Sequence, residues 1–548
     1  MHNISIFEKW SSFFTFRNCV VSKLLKYRFT AIFGILFGVI LYSLMMTQQL
    51  TNTFDGLWHQ NYHHAGVGEL SSGRWLLVLV DKLVMGTHAD PVISIVALAL
   101  YVIGFLFVLD LFNPTRKSVQ CLCMALFISS TLISTTLSYR YTSLGYGLSF
   151  LLAVLSIYAI IKIRNHYFGI CISGILLGLS MACYQAYLAT FCIIAVFYAI
   201  YCCKERKMIS SETSSLSSVS YLVRIILTVC IGMLFYYVSL TIFLKLFDAS
   251  LSNYNGAGQV SLGEAFSNLP QNILKTYQFF YAYFFMDGLT INRLQPFGIF
   301  YILMAFLIGV IIFIAIKTLK IGKKWILLLI PAVIAIPIAS NAYMLLAGDK
   351  LELQMTTGLA IFAPLTMLIL FSSLEQKRIV QIICTCLCVA LIYGNSIQVW
   401  IDQEAMYEGQ NACDTMITQV IDDLSENNLL STDYEYFFIG VPEENPLFSV
   451  SNTYYSANAY AQMGRFWVSG NCCQSSYRGL ISRRMGLDLL VSTLSYDDIS
   501  GKIDTLKMPV FPSDGYIMLL DGNTVVVKIS EYNAYTGNSK YTLDSFTD

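Results

Sequence analysis

Long apolar runs separated by short polar segments fill the first 400 residues of the chain. A bilayer core of about 30 Å needs roughly 20 mostly apolar residues per helix, because backbone polar groups find no partners in lipid. We predict membrane-spanning helices at eleven runs: 29–47, 91–111, 119–137, 143–161, 167–183, 186–203, 221–246, 296–317, 325–346, 354–373 and 379–400. The pattern therefore predicts a polytopic α-helical membrane protein.

The uncharged residues 167–203 fit either one long helix or two helices hinged at Tyr184 and Gln185. One helix would place the nine basic residues of the later inner loops outside, against the preference of Lys and Arg for cytoplasmic loops. We therefore expect two helices here, eleven spans, an amino terminus inside and a carboxyl terminus outside.

Basic residues support this orientation. The expected inner segments hold 18 Lys and Arg, whereas the outer loops hold Arg74, Lys82, Arg140, Lys275, Arg293 and Lys350. Residues 1–28 are expected to be a cytoplasmic amphipathic lead-in, because five basic residues precede the first apolar run and no cleavage site follows it.

Two outer loops, 48–90 and 247–295, are longer than turns require. The run from Arg74 to Val80 is too short to span a bilayer and suits a helix lying in the interface, as does Tyr277 to Met286. Together with residues 29–400, these loops form the predicted transmembrane domain, with a roofed outer cavity suited to a lipid head group.

From residue 401 the chain becomes acidic and turn-rich, with 8 Lys and Arg against 20 Asp and Glu. Residues 434–439, 516–520 and 524–529 alternate in polarity as strands do, and Asp521-Gly522 fits a hairpin turn. We predict a small extracytoplasmic α/β domain over 401–548. This domain has three cysteines, Cys413, Cys472 and Cys473, and the sequence leaves open whether Cys413 forms a disulfide with one of the other two.

Composition narrows the class of protein. The chain has 56% hydrophobic and 12% charged residues, about half the usual charged fraction. This excludes a simple soluble enzyme, a disordered chain and a nucleic-acid-binding protein. The net charge of zero is a sum of two opposite parts, since residues 1–400 carry 26 basic and 14 acidic residues, which gives +12, and the remainder gives −12.

Asp55, just beyond the first span, is the best candidate for chemistry. A carboxylate at the outer surface can act as a general base towards an acceptor hydroxyl, although an Asp there can equally cap the following helix turn. His59 and His63 have the i, i+4 spacing of metal ligands. The zincin helix has a glutamate between its two histidines, and no acidic residue lies between these two, so we expect no metal site here. The sequence leaves open whether a divalent ion assists the reaction.

A phosphate-bearing donor needs cations at the outer face. Arg74, after Gly73, and Arg140 are the strongest candidates, because guanidinium matches phosphate bidentately. Lys350 is a weaker one, and snorkelling to lipid head groups is the alternative for each. Tyr184 and Gln185 place polar groups in an apolar region, where they could hydrogen-bond a sugar. No nucleotide-phosphate loop or nucleophile elbow occurs in the sequence.

Taken in order, several short motifs resemble the membrane glucosyltransferases of the O-antigen serotype-conversion type. They are Phe54-Asp-Gly56, Gly73-Arg-Trp75, Ser180-Met-Ala-Cys-Tyr-Gln185, Phe511-Pro-Ser-Asp-Gly-Tyr-Ile517 and Val525-Val-Val-Lys528. Each is short, and their order and topology carry the resemblance.

The resemblance implies a GT-C type enzyme of the bacterial inner membrane with its active site on the outer face. Separately, we expect no cofactor. The enzyme would move a hexose, expected to be glucose, from an undecaprenyl-phosphate donor to O-antigen or its lipid-linked precursor. Asp55 would be the base of an inverting displacement, and Arg74 would face the donor phosphate. Glu69 is a candidate second carboxylate near the sugar or acceptor that no motif singles out. A lipid-linked-sugar synthase and a flippase would supply the donor.

The rival class is a transporter or a flippase of lipid-linked saccharides. Transporters tend to show repeats, matched broken helices and charges near the bilayer midplane, whereas the charges here lie at the outer edge and the spans are unevenly spaced. A membrane sensor, whose tail would carry the function, is a third possibility.

Overall fold

The computed structural model describes residues 22, 25–59, 62–205, 218–252, 262–285, 299–319, 326–347, 353–373, 378–448, 467–468, 473–494, 496–502, 507–520 and 522–531. Lys350, Arg293, Cys472 and most of the predicted lead-in 1–28 lie outside these residues.

Helices make up most of the described chain. They are α1 Arg28–Leu41, α2 Ser43–Thr47, α3 Thr53–Trp58, α4 Val67–Ser71, α5 Trp75–Leu83, α6 Val92–Phe112, α7 Lys117–Ile128, α8 Thr131–Ser138, α9 Arg140–Lys162, α10 His166–Cys183, α11 Leu188–Glu205, α12 Ser218–Leu246, α13 Leu262–Phe285, α14 Ile299–Leu319, α15 Ile326–Ile334, α16 Ile336–Ser340, α17 Met344–Ala347, α18 Thr357–Ser373 and α19 Arg378–Glu426.

Among the described residues, six helices are long and apolar enough to cross a membrane. They are Val92–Phe112, Arg140–Lys162, His166–Cys183, Gln185–Cys203, Ser220–Leu246 and Arg378–Glu426. The pair α7 and α8, bent by 52°, can act as a seventh. A polytopic helical membrane protein is thus confirmed, while the number of eleven spans stays a prediction.

The helix α10 ends before Tyr184, whose backbone is extended, and the chain continues through a 3₁₀ turn at Gln185–Tyr187 into α11. The prediction of two helices within residues 167–203 is therefore confirmed. A short helix, α5, occurs at the expected position near 74–80, and its place in the membrane interface stays a prediction. The aromatic run from Tyr277 belongs to the 24-residue helix α13.

A small sheet lies beyond α19. Its strands are β1 Glu435–Ile439, β2 Leu490–Val491, β3 Ile517–Leu520 and β4 Thr524–Lys528. The same region contains the helices α20 Cys473–Gly479 and α21 Tyr496–Ser500 and a π-helix at Leu480–Met485. The sheet order is β2-β1-β4-β3, with β3 antiparallel to β4 and β1 parallel to both neighbours. The predicted strands and their hairpin are confirmed.

The helix α19 runs without a break through residue 400, where the composition changes. Its last turns pack under the sheet and supply part of the sheet's core, namely Cys413, Met416, Ile417, Val420 and Leu424. Cys413 is buried and forms no disulfide with another described residue.

Small residues allow the three membrane helices α9, α10 and α12 to pack closely. Ser149 of α9 and Ser180 of α10 share a hydrogen bond of 3.1 Å. On the other face of α10, a Cβ at Gly178 would lie 2.8 Å from the carbonyl oxygen of Gly232 on α12. Close backbone approach of this kind is how helices associate in lipid, and here it brings Tyr236 of α12 to the turn at Gly73.

The segment after α1 is held by α19. Gln403 Nε2 donates to the carbonyl of Leu41 at 3.0 Å, and its Oε1 accepts from the Met45 amide at 2.9 Å. Two helical turns further on, Gln410 donates to the carbonyl of Thr51. These amides satisfy backbone groups that have no partners within a helix, and they fix where α3 begins.

Substitution of Gly178 by Ala is expected to destabilise the protein by about 1–3 kcal/mol, because the added methyl group meets backbone that cannot move aside. Thermal unfolding in detergent micelles measures the effect. Gly309→Ala is the matched control, since its Cβ would meet nothing within 4 Å. Equal melting temperatures for the two variants would contradict the close packing of α10 on α12.

Candidate functional site

The short helix α3 carries Asp55 and is fixed at both ends. At its start, the backbone N–H of Asn52 and the hydroxyl of Thr51 donate to the carbonyl of Ser138 at 3.1 and 3.0 Å. Within it, buried Leu57 packs against the sheet domain, where a Cβ at Gly479 would lie 3.1 Å from the Leu57 Cβ. The membrane part and the sheet domain therefore both position this helix.

Asp55 lies in the first turn of α3 and is half-buried. Asn52 is the residue at the cap position, and its Nδ2 is 3.5 Å from Asp55 Oδ2. Asp55 therefore does not occupy the cap position itself. The partial positive charge at a helix start also favours an ionised carboxylate there.

Arg74 is carried by a turn that needs a glycine. Gly73 has φ +80°, and a Cβ there would clash with Tyr236 and Gln185. Gln185 Nε2 donates to the Ser72 carbonyl at 2.8 Å and lies 2.9 Å from the Tyr236 hydroxyl, which itself donates to the Gly73 carbonyl at 3.0 Å. These bonds hold the turn, and the Arg74 guanidinium lies 4.9 Å from the centre of the Tyr184 ring.

Arg140 begins α9 and is 5% exposed. Its Nε is 3.7 Å from Asp90 Oδ2, and Arg484 of the π-helix lies within electrostatic range. The Nη1 of Arg140 is buried and makes no hydrogen bond to any described residue. A buried guanidinium with an unused donor is suited to binding an anion.

Tyr141 is the common neighbour of these groups. The Asp55 carboxylate and the Arg74 guanidinium both act electrostatically on its hydroxyl, and Arg140 precedes it in sequence. Its ring also packs on the His59 ring, with the centres 4.1 Å apart. Asp55 and Arg74 therefore lie within electrostatic range of one tyrosine, which follows Arg140 on α9.

Two histidines and Glu69 form a chain beside Tyr141. His59 Nδ1 is 3.0 Å from His63 Nδ1, and His63 Nε2 is 2.9 Å from Glu69 Oε1. Burial, and next the positive charge of His63, lower the pKa of His59. Burial alone would raise the pKa of Glu69, but hydrogen bonds from His63 and the Gly66 amide lower it overall. Glu69 is therefore ionised at neutral pH.

Asp81 and His88 form the buried layer behind this chain. Asp81 Oδ2 accepts from the Ala65 amide at 2.8 Å and lies 3.8 Å from His88 Nε2, which in turn is 3.0 Å from the His63 carbonyl. Burial raises the pKa of Asp81 to about 7 and lowers the pKa of His88 to about 4. Both groups are thus largely neutral at mildly acidic pH.

The structure brings together most of the residues singled out in the sequence. Asp55 and Arg74 lie within electrostatic range of Tyr141, which follows Arg140 on α9, and Tyr184 and Gln185 contact Arg74 and its turn. Lys350 lies outside the described residues. The residues missed in the sequence are Tyr141, Asp81, His88, Asp90 and Arg484. The position of Tyr141 beside Arg140 was the available signal for it, whereas contacts between distant loops leave no periodic pattern.

Comparison with known proteins gives one family match. The family model described as Glucosyl transferase GtrII matches residues 58–373, which is more than half of the 548 residues. The matched range includes Arg74, Arg140 and Tyr184 and begins just after Asp55. No curated protein and no solved structure matches the chain.

The raised pKa of Asp81 predicts a pH-dependent stability. The unfolded chain releases this proton near pH 4, whereas the folded protein keeps it up to about pH 7, so raising the pH across this window destabilises the fold. The full effect is at most about 4 kcal/mol, from 1.36 kcal/mol per unit. We expect Asp81→Asn to flatten the fall of the melting temperature between pH 5 and 8. The exposed Asp422→Asn serves as control, and parallel profiles for wild type and Asp81→Asn would contradict the assignment.

Proposed function

The chain belongs to the glucosyl transferase GtrII family and is a glycosyltransferase, and from that premise we propose a specific reaction for it. It transfers glucose from an undecaprenyl-phosphate-linked donor to a surface polysaccharide such as O-antigen, or to its lipid-linked precursor. The reaction takes place at the outer face of the bacterial inner membrane, with a lipid-linked-sugar synthase and a flippase supplying the donor. Family membership favours this enzyme over the alternative of a transporter or flippase.

The observation that carries the proposal is that the start of α3, the helix that bears Asp55, is hydrogen-bonded to the Ser138 carbonyl, two residues before Arg140, whose buried Nη1 makes no hydrogen bond to any described residue. Asp55 and Arg74 both lie within electrostatic range of Tyr141, the residue after Arg140. Transfer from a lipid phosphate needs a base at the acceptor hydroxyl and positive charge at the departing phosphate. The site offers one acid for the first task and two arginines for the second, all from the outer loops and the helix ends next to them.

In the proposed step, the acceptor oxygen attacks the anomeric carbon of the glucose while Asp55 takes its proton. The bond from that carbon to the phosphate oxygen breaks, and its electron pair stays on the lipid phosphate. A single displacement assisted by one base inverts the anomeric centre. Asp55 is thereby protonated and returns its proton to solvent.

The arginines have different roles in this scheme. Arg140 directs an unused donor towards the phosphate, where preorganised donors stabilise the charge that develops in the transition state. The guanidinium plane of Arg74 is fixed by the Tyr184 ring, and its turn is held by Gln185. Gln185 is therefore a positioning residue in the proposal, and Lys350 is a third cation expected at the donor phosphate. Tyr184 is retained as a contact of the sugar.

Asp55→Asn is expected to abolish glucosylation, because the amide cannot accept the acceptor proton. The test is structural analysis of surface glycan from cells that carry the variant at the wild-type protein level. Asp422→Asn, at an exposed carboxylate of α19, is the matched control and is expected to leave the glycan unchanged. Full glucosylation by the Asp55→Asn variant would remove this residue as the base.

Arg140→Lys is expected to lower kcat by roughly 100-fold, the loss found when one preorganised charge-stabilising donor is removed. The lysine keeps a positive charge beside buried Asp90, so folding is preserved. Turnover of a lipid-linked donor in detergent micelles measures the effect. Lys82→Gln, at an outer cation that lies 5.1 Å from the Phe247 ring centre, is the control. Wild-type turnover by Arg140→Lys would contradict the role of Arg140.

A further inference from the structure

The side chains of His59, His63 and Glu69 converge in the outer loop. One ligand atom from each lies within 4.8 Å of the others. We propose that these three residues bind a divalent transition-metal ion of the zinc class. Metal binding goes beyond the proposed glucosyl transfer and does not depend on it.

The donor atoms fit such an ion. Two imidazoles and one carboxylate are a common ligand set of zinc sites that keep a position open, with metal–ligand bonds of about 2.0–2.2 Å. Ligand atoms around a tetrahedral ion are therefore roughly 3.4 Å apart. In the present contacts the two ring nitrogens of His63 face different partners, Nδ1 lying 3.0 Å from His59 Nδ1 and Nε2 lying 2.9 Å from Glu69 Oε1. Metal binding therefore requires one of these hydrogen bonds to open and a side chain to rotate until all three donors face the ion.

Surrounding groups orient the Glu69 and His59 side chains and hold the backbone of His63. The second oxygen of Glu69 accepts from the Gly66 amide at 2.8 Å. The backbone carbonyl of His63 lies 3.0 Å from His88 Nε2, and the Tyr141 ring packs on His59. Partners of this kind, which fix the direction of a ligand without touching the ion, are typical of functional metal sites.

The cluster is also open to solvent. The side chains of His63 and Glu69 are 16% and 12% exposed, so an ion can enter and retain a position for water or an anion. Without an ion, the hydrogen bonds between the imidazoles and to Glu69 hold a proton that a metal would displace. The same contacts could serve as a hydrogen-bonded chain alone, and the experiment separates the two cases.

The test uses the full chain, purified in detergent with a tag that lacks histidine and treated with a chelator. Zn²⁺ is titrated against a chromophoric competitor, and Co²⁺ provides a visible spectrum that reports its ligands. We expect one ion per chain. His63→Ala and Glu69→Gln are expected to weaken binding by at least about 100-fold, since even groups outside the first ligand layer contribute 10–100-fold.

His64→Ala is the matched control, because this neighbouring histidine is exposed and lies outside the cluster. It is expected to bind as the wild type does, and so is Asp55→Asn, which separates metal binding from the proposed base. Melting temperatures in chelator establish that each variant is folded. Absence of a bound ion in the wild type, or equal binding by His63→Ala and His64→Ala, would overturn the proposal.

Discussion

The interruption of the helix after α1 leaves backbone groups without helical partners inside an apolar bundle, where an unpaired polar group costs free energy. Gln403 and Gln410 of α19, both buried, supply the missing donors and acceptor. Their spacing of seven residues places them on one face of the helix, about two turns apart. The rest of the site follows from this contact, because it fixes the start of α3 and hence the position of Asp55 beside Tyr141.

The loop between α3 and α6, together with the start of α9, concentrates titratable side chains in a buried setting. Asp81, Asp90, His88 and Arg140 are each less than a tenth exposed, and each is stabilised by a partner from another segment of the loop or from α9. Burial of this kind is costly unless charges are paired or neutral. Asp81 is kept neutral by its raised pKa, whereas Asp90 is paired with Arg140. Buried titratable groups with perturbed pKa values are typical of functional sites.

Much of the membrane part could be predicted from the sequence because length and apolarity decide where a helix crosses lipid. The hinge at Tyr184 was readable from the loop charges on either side, and the strands near 435, 517 and 524 from their alternation. The continuation of α19 past residue 400 was not readable, since a change to acidic residues resembles a domain boundary while helix formation continues. The cluster of His59, His63 and Glu69 was missed because its third member follows six residues after the second, a spacing set by the loop and by no helical period.

The helix α19 has 49 residues and is therefore about 74 Å long, more than twice the thickness of a bilayer core. The C-terminal turns of α19 form part of the hydrophobic core against which the sheet packs, and this core is incomplete without them. During synthesis the ribosome makes this helix after the other membrane helices and before the strands. Folding of the sheet thus follows delivery of the last helix, and a chain that fails at that step presents a bare apolar surface to the cell's quality control.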